Sequence, residues 1–341
     1  MNILENKLWQ NENTRRKKLW HIALTLVTFS FVIVTALLLW VIQPLIFSAK
    51  SVQLTLNSEP ERLKSDVRML SEILAPHGES LADNLNKKAE YIKSEFEKTG
   101  AKIFEEKFIV DGSEYRNIGV SFGKDSIERI VIGAHYDTAG EHAGADDNSS
   151  GVAWLMELAR LLTHSNLSIH VELVAFALEE PPYFGTTKMG SFVHAKFLHD
   201  TGVKIRLMLC LEMIGYFTDE PNSQDYPISV FGIFYPSKGN FVAVVGNFRN
   251  GLTTRNIKNE MQKAVDIPIY SINAPTFVEG IDFSDHRNFW HFGFNAVMIT
   301  DTAFYRNKNY HTPADTWEKL DYFRMAKVVD ATYTVIITDN Q

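Results

Sequence analysis

The sequence is poor in cysteine and has no excess of positive charge, and both shortages limit what the protein does. Its single cysteine, Cys210, cannot form an intramolecular disulfide. Cys210 lies in the apolar run 207–211, which predicts a buried, unreactive thiol with no metal or nucleophile role. The formal net charge is -7 and the pI is about 5.9, and the only basic cluster is N-terminal. Nucleic acid is therefore not an expected partner.

Low-complexity sequence and internal repeats are also absent beyond the N-terminal region. No linker-like composition interrupts residues 50–341. This length is large for one hydrophobic core but lies within the range of α/β enzymes. We therefore expect residues 50–341 to form one globular domain.

The N-terminal region contains a long uncharged stretch. Four consecutive cations at 15–18 precede the uncharged segment 19–49. About 20 apolar residues span a bilayer, so this segment predicts a transmembrane anchor with room for tilt. The cations predict that residues 1–18 are cytoplasmic and that the domain after the anchor is extracytoplasmic, either periplasmic or extracellular. The alternative is cleavage near residue 48, although the apolar core of a cleaved signal is shorter, about 7–15 residues.

Helical and strand-like patterns alternate after the anchor. Two helices are predicted first, at 58–75 and 81–100, with Gly100 as the stop of the second. Apolar strands then alternate with helices at 150–162, 190–198 and 324–337. This alternation predicts an α/β fold with a mixed, largely parallel central sheet and helices on both faces. Ligands of such sheets collect beyond the carboxyl ends of the strands.

Acidic residues and histidines follow the predicted strands. They are His135 and Asp137 after strand 129–134, Asp146 and Asp147 in the next loop, Glu179 and Glu180 after strand 171–178, Glu212 after strand 205–211, and His311 in a later loop. Turn and capping roles explain each residue singly but not their shared position at strand ends. Imidazole and carboxylate groups without a thiolate suit zinc or manganese held for hydrolysis.

The order and spacing of these segments, over residues 130–316, resemble the co-catalytic di-zinc aminopeptidases of metallopeptidase clan MH, whose relatives include carboxypeptidases and glutaminyl cyclases. The resemblance implies two Zn²⁺ ions per chain. It implies that His135 binds one zinc, that Asp147 bridges both, and that Glu180 and His311 complete the other. Glu212 stands where many relatives have aspartate and is expected to be the terminal carboxylate on the zinc bound by His135. The resemblance also implies a cis peptide bond between Asp147 and Asn148.

The implied chemistry needs a proton carrier and a support for the ligands. A metal pair about 3.5–4 Å apart polarises the scissile carbonyl and supplies a hydroxide nucleophile near neutral pH. Glu179 is the candidate that shuttles the proton, because adjacent residues at a strand end point in different directions and Glu180 is assigned to the metal. Asp137 lies two residues beyond His135 and is expected to accept the other N–H of its imidazole.

Several further residues are candidates for the neighbourhood of the site. Consecutive residues cannot form a hydrolytic triad, so the tract at 284–286 is expected to support the metal cleft, with His286 as a possible substrate contact. The turn-rich segment 218–225 predicts a surface loop near the rim of the site. Asp315 is expected to hold the loop that presents His311, or to have a simple capping role. Asp146, next to the bridging position, is expected either to form a turn or cap or to act directly at the centre. Aromatic candidates for a substrate pocket are Phe231, Phe234, Tyr235, Phe283, Tyr305 and Tyr310.

These patterns predict a membrane-anchored, extracytoplasmic di-zinc metallopeptidase that acts on peptides, with aminopeptidase as the first choice. A carboxypeptidase would need a cationic clamp, for which Arg249, Arg255, Arg287 and Arg306 are available. A glutaminyl cyclase would use one zinc and fewer ligands. A non-catalytic receptor or scaffold domain would have lost ligands or the proton carrier.

Overall fold

An eight-stranded sheet with helices on both faces follows one long N-terminal helix in the computed structural model, which describes residues 3–43, 56–76, 78 and 80–339. The strands are β1 (Lys102–Val110), β2 (Ser113–Phe122), β3 (Glu128–His135), β4 (His170–Phe176), β5 (Lys204–Glu212), β6 (Val242–Gly246), β7 (Ile269–Asn273) and β8 (Ala296–Thr300). The helices are α1 (Ile3–Ile42), α2 (Pro60–Arg68), α3 (Leu81–Glu97), α4 (Gly151–Leu162), α5 (Gly190–Asp200), α6 (Gly251–Ala264), α7 (His286–His291) and α8 (Tyr322–Asp339).

The strand order is β1-β2-β4-β3-β5-β8-β6-β7. The four central strands, from β4 to β8, run parallel, whereas β1 and β2 form an antiparallel hairpin at one edge. At the other edge β6 is antiparallel to β8 and parallel to β7. The predicted α/β fold with a mixed, largely parallel sheet is therefore confirmed.

The apolar composition of the central strands explains why both faces of the sheet are covered. Strands buried on both faces are almost continuously apolar, and β3 and β5 have this character. Alternate residues enter different cores: Ile130 and Ile132 pack in the core that contains α4, whereas Val131 packs in the core that contains residues of α5 and α7. This double covering leaves the strand ends as the place for polar side chains.

The predicted helices are present with small changes at their ends. The side-chain oxygen of Ser80 caps α3, and Gly100 follows the helix with a φ of 70°. The first predicted helix, 58–75, begins instead at Pro60, and α2 is continued by a π-helical turn, Met69–Ile73. Pro60 favours this start because its fixed φ suits the first helical turn.

The N-terminal helix α1 includes both the cationic cluster and the apolar stretch. Its segment Glu12–Ile42 has the length and composition to cross a membrane, properties that a signal sequence shares. Residues 44–49 of the predicted anchor, the alternative cleavage point near residue 48 and the boundary at residue 50 lie outside the described residues.

Candidate metal centre

The structure brings the five predicted metal ligands together at the carboxyl ends of the central strands. His135 ends β3 and Glu212 ends the adjacent parallel strand β5. Nε2 of His135 lies 3.4 Å from Oδ1 of Asp147 and 3.4 Å from Oε2 of Glu212. Nε2 of His311 lies 3.0 Å from Oδ2 of Asp147 and 3.3 Å from Oε2 of Glu180. The side chains thus form two groups that share Asp147.

The geometry fits two metal ions. Ligand atoms about 2.0–2.1 Å from a tetrahedral zinc ion lie about 3.3 Å from one another. The separation between each histidine and its carboxylates, 3.0–3.4 Å, matches this value. The two oxygen atoms of Asp147 face different groups, as a bridging carboxylate requires. Oε1 of Glu180 and Nε2 of His311 are buried and accept or donate no hydrogen bond within the described part of the chain. These polar atoms are therefore available to a cation.

The ionisation of the centre also favours a cation. Burial and the neighbouring Asp147 carboxylate raise the pKa of Glu180 to about 8. Burial raises the pKa of Glu179 well above its ordinary value. Burial opposes the charged form of His311, but its contacts with Asp147 and Glu180 outweigh this effect and raise its pKa to about 10. Acidic groups thus retain protons in a site with too little positive charge, which divalent cations would supply.

Asp137 supports two strand ends at once. Nδ1 of His135, on the side of the ring opposite to the proposed metal contact, lies 3.2 Å from the backbone oxygen of Asp137 and 3.5 Å from its Oδ1. The same carboxylate accepts the backbone N–H groups of Glu179, at 3.0 Å, and of Glu180, at 2.9 Å. Sequence analysis predicted that Asp137 contacts His135, and it missed the two bonds to the backbone of Glu179 and Glu180. Asp137 therefore fixes the position of both glutamates relative to His135.

Glu179 and Glu180 point to different parts of the centre. Oε2 of Glu180 faces His311, whereas Oε2 of Glu179 lies 3.8 Å from Nε2 of His135. Both side chains are buried. Ligand atoms of His135, Glu179 and Glu180, one from each, also lie within 4.8 Å of one another, so Glu179 adjoins both ligand groups.

The turn that carries Asp147 is held by buried polar residues. The carboxylate of Asp315 accepts the backbone N–H groups of Asp146 and Asp147, each at 3.1 Å, so it ties this turn to the loop of His311. Asp146 does not face the ligand groups: it accepts hydrogen bonds from the N–H of Gly215 and from Nδ2 of Asn307. The peptide bond between Asp147 and Asn148 is cis, as the resemblance implied. No sequence signal distinguished Asn307.

A buried lysine lies beyond Asp137. Lys88, on α3, is almost fully buried, and its Nζ has no hydrogen-bond partner in the described part of the chain. Burial lowers its pKa to about 8, although the carboxylates of Asp137 and Glu180 act in the opposite direction. Sequence analysis missed this residue because an apolar stripe does not distinguish a buried lysine from an exposed one.

The tract at 284–286 supports the centre through its first residue. The hydroxyl group of Ser284 donates a 2.6 Å hydrogen bond to Oε2 of Glu212. His286 is fully buried, and its Nε2 lies 2.8 Å from the backbone oxygen of Ile281. Burial lowers the pKa of His286 to about 4. Burial of the His286 ring in the interior therefore argues against the substrate contact considered for it.

A largely apolar cavity, open to solvent, adjoins the Glu212 side of the centre. Aromatic residues dominate its lining: Tyr226, Phe231, Tyr235, Phe241, Tyr270, Phe283, Phe304, Tyr305 and Tyr310. Five of the six aromatic candidates are in this set. Phe234, which is 40% exposed, is not. Gln224 and Asp225, at the end of the predicted rim loop, also line the cavity.

No arginine or lysine lines this cavity in the described part of the chain. The guanidinium group of Arg306 is buried and donates to Gln224 and to the backbone oxygens of Tyr216 and Phe241. Arg287 lies near Asp282 and over the ring of Phe184. Arg249 and Arg255 are exposed. The structure therefore offers no cationic clamp at the cavity from these four candidates.

Comparison with known proteins places the chain among peptidases and their relatives. The sequence profile of peptidase family M28 matches residues 117–336. The chain is 43% identical over 321 residues to the uncharacterized protein YfbL of Escherichia coli K12, which covers 91% of this chain and 98% of that protein. It is 26% identical over 293 residues to a probable leucine aminopeptidase of Trichophyton verrucosum, over 79% of this chain and 70% of that protein.

Solved structures share the fold at low sequence identity. The aminopeptidase LapA of Legionella pneumophila superposes with a TM-score of 0.65 at 19% identity, over 82% of this chain and 71% of that chain. A glutaminyl cyclase of Porphyromonas gingivalis superposes with a TM-score of 0.64 at 18% identity, over 84% of this chain and 100% of that chain. Because both chemistries occur on this fold, function depends on the side chains of the site.

Proposed function

The chain belongs to peptidase family M28, and we propose that it is a membrane-anchored di-zinc aminopeptidase that removes residues from the N-termini of peptides. The observation that carries the proposal is the pair of ligand groups that share Asp147 beside an apolar cavity without cations. The peptidase class follows from the family. The two ions, the end of the peptide that is recognised and the membrane location are the proposed parts.

His135, Asp147 and Glu212 would hold one zinc ion, and Asp147, Glu180 and His311 would hold the other. When bound, such a pair supplies Lewis acidity at the scissile carbonyl and a water molecule of lowered pKa. The buried setting excludes bulk water from the ligands, which strengthens electrostatic effects on the reacting groups. His311 is the most exposed of the five and lies at the solvent side of the centre.

Glu179 is the proposed proton carrier. Its carboxyl group lies close to the His135 group yet makes no ion pair with a lysine or arginine in the described part of the chain. It can therefore accept a proton from water and donate it to the leaving amine. Asp137 acts through other residues: it orients the ring of His135 and holds the backbone of Glu179 and Glu180.

Recognition of an N-terminus fits the charges around the cavity. A free ammonium group needs acidic neighbours, and Glu212 at the cavity end and Glu180 across the ligand groups supply them. A terminal carboxylate would need a cation, which the lining of the cavity lacks in the described residues. The aromatic lining favours a first residue with an apolar side chain.

The membrane location rests on α1 and on the charge next to it. Segment Glu12–Ile42 has the length and composition of a membrane span. The cations at 15–18 favour an N-terminus in the cytoplasm and therefore a catalytic domain outside it.

The proposal is tested on the full-length chain purified in detergent. Zinc per chain is measured, and hydrolysis is followed on matched pairs of free and N-acetylated aminoacyl substrates before and after chelation. About two zinc ions per chain and chelator-sensitive cleavage of free-amine substrates only are expected. Substrates with apolar first residues should be cleaved fastest.

Other outcomes identify the alternatives. One zinc ion with cyclisation of N-terminal glutamine would assign the chain to the cyclases. Cleavage of the acetylated peptides from their carboxyl ends would indicate a carboxypeptidase. Absence of both metal and turnover would indicate a binding or scaffold domain.

A further inference from the structure

The end of helix α1 is attached to the catalytic domain. Gln43 is 3% exposed, and its side-chain amide donates to the backbone oxygen of Gly251 and accepts from the hydroxyl of Ser271, the latter at 3.1 Å. The ammonium group of Lys258 donates to the backbone oxygen of Gln43. These contacts join the helix end to the edge strand β7 and to α6.

Trp40 makes a second set of contacts one turn earlier. Its indole N–H donates to the backbone oxygen of Phe248 at 3.3 Å, and its own backbone oxygen accepts from Nδ2 of Asn273 at 3.3 Å. A Cβ atom on Gly251 would lie 2.4 Å from the indole ring, so the close approach requires glycine there. The helix end is therefore packed against the domain and is not a free tether.

This attachment determines the level of the domain relative to a bilayer. At 1.5 Å per residue, the uncharged part of the helix from residue 19 to residue 42 is about 36 Å long, slightly more than a hydrocarbon core of about 30 Å. Trp40 then lies at the outer interface, where tryptophan is enriched. The domain surface around Trp40 must lie at the same level, because the contacts above hold the two together.

That surface carries exposed apolar side chains, which we call the apolar rim: Ile228, Val230, Ile233, Phe234, Phe248 and Leu252. The backbone oxygen of Phe248 itself binds Trp40, and Leu252 directly follows Gly251, whose backbone oxygen binds Gln43. The segment 228–234 is joined to the same place through Tyr235, whose hydroxyl donates to the backbone oxygen of Ser271. Ile233 is 76% exposed and Leu252 is 62% exposed, which is costly for large apolar side chains in water.

Basic residues adjoin the rim. Arg249 follows Phe248, and Arg255 lies about one helical turn beyond Leu252; both are exposed. Basic side chains near a membrane surface are attracted to the negative charge of lipid headgroups. Exposed apolar groups with cations beside them are the pattern of a surface that lies in the headgroup region.

We infer that the apolar rim is a bilayer-contacting surface that seats the catalytic domain on the outer leaflet in one orientation. The inference rests on the proposed membrane anchoring and adds a second contact to it. Rim side chains enter the boundary between headgroups and acyl chains, and Arg249 and Arg255 contact lipid phosphates. The domain is therefore not suspended away from the membrane.

The test uses the full-length chain in liposomes that contain phosphatidylcholine and an anionic phospholipid. The variants Ile233→Cys and Leu252→Cys, each with one added cysteine, receive a spin label at that position, whose collisions with oxygen and with a water-soluble nickel complex report lipid and aqueous contact. Unsubstituted protein sets the background, because its only cysteine, Cys210, is buried. The matched control is Ile109→Cys, since Ile109 is 66% exposed and lies on β1, at the opposite edge of the sheet. Val32→Cys reports the span itself.

Labels at 233 and 252 are expected to show a several-fold higher ratio of oxygen to nickel collisions than the label at 109. If the collision ratios indicate water at 233 and 252 but lipid at 32, the inference is overturned and the proposed anchor stands. An aqueous value at 32 would instead contradict the proposed anchoring. Hydrolysis of a soluble substrate confirms that each labelled variant is folded.

Discussion

The hydroxyl group of Ser284 donates to Oε2 of Glu212. Since this hydroxyl hydrogen is committed to Glu212, the 3.0 Å contact between Ser284 and Cys210 has the thiol as its donor. The only cysteine of the chain is thus two hydrogen bonds away from the metal centre. Burial raises the pKa of this thiol well above its ordinary value, which keeps it a donor.

Replacement of Ser284 by alanine should weaken metal binding on the His135 side of the centre. Loss of a hydrogen bond to a ligand carboxylate typically lowers metal affinity about 10–100-fold. Competition with a chromogenic chelator measures the zinc affinity of each of the two sites. The affinity of the site on the His135 side should fall, and the affinity of the other site should be unchanged. The control is Ser71→Ala, another buried serine, whose hydroxyl binds the backbone oxygen of Val67. Equal zinc affinities in the two variants would refute the role of Ser284.

Replacement of Glu179 by glutamine should separate metal binding from catalysis. The amide is close to the carboxyl group in shape but cannot accept and return a proton, so kcat should fall by roughly 10²–10⁴-fold while both zinc ions remain bound. Steady-state kinetics and zinc content are measured on the same sample. The control is Glu128→Gln at the opposite end of β3. Unchanged turnover in the Glu179 variant would exclude it as the proton carrier.

A second buried cluster, around His194 on α5, should make stability depend on pH. Nδ1 of His194 lies 3.3 Å from Oε2 of Glu106, and Nε2 lies 3.7 Å from Oε2 of Glu172. Burial opposes the charged ring, but the two glutamates outweigh it and raise the pKa of His194 to about 9. Arg129 and His170 face Glu172 from neighbouring positions of the sheet.

The sign follows from the raised pKa. The folded protein holds the His194 proton more tightly than the unfolded chain, so this stabilisation is complete below about pH 6.5 and is lost as pH rises through about 9. The full effect is at most about 3 kcal/mol. Denaturant unfolding across this window, in the wild type and in His194→Gln, measures it. If the free energy of unfolding falls by the same amount between about pH 6.5 and 9 in both proteins, His194 is excluded as the source of the pH dependence.

Arg160 should be a major contributor to stability. Its guanidinium group donates to Asp66, Glu95 and Glu157 at 2.8–2.9 Å and so joins α2, α3 and α4. Arg160→Met would leave these carboxylates partly buried without their shared cation, which typically costs about 3–5 kcal/mol. The control is Lys98→Met, because Lys98 pairs with the same Glu95 but is 67% exposed, and such pairs contribute at most about 1 kcal/mol. Denaturant unfolding measures both variants, and similar losses of unfolding free energy in the two would contradict the expectation.

The sequence itself determined the class of fold and the approximate place of the centre. Apolar runs of strand length that alternate with helical patterns allow few arrangements other than a covered parallel sheet. Since parallel strands end at one edge, His135 and Glu212 could be placed together without coordinates. The start of α2 at Pro60 follows from the fixed φ of proline, whereas the π-helical turn after α2 depends on local hydrogen bonding that periodicity does not encode.

The tertiary structure decided which polar groups support these residues and which face the interior. Asp315 binds the turn of Asp147, Ser284 binds Glu212, and His286 points into the core, because segments far apart in the chain pack there. The attachment of Trp40 and Gln43 to β7, to α6 and to the turn before α6 has the same origin. An apolar run determines that a helix is long enough for a bilayer, but only the packed surfaces determine where its end contacts the domain.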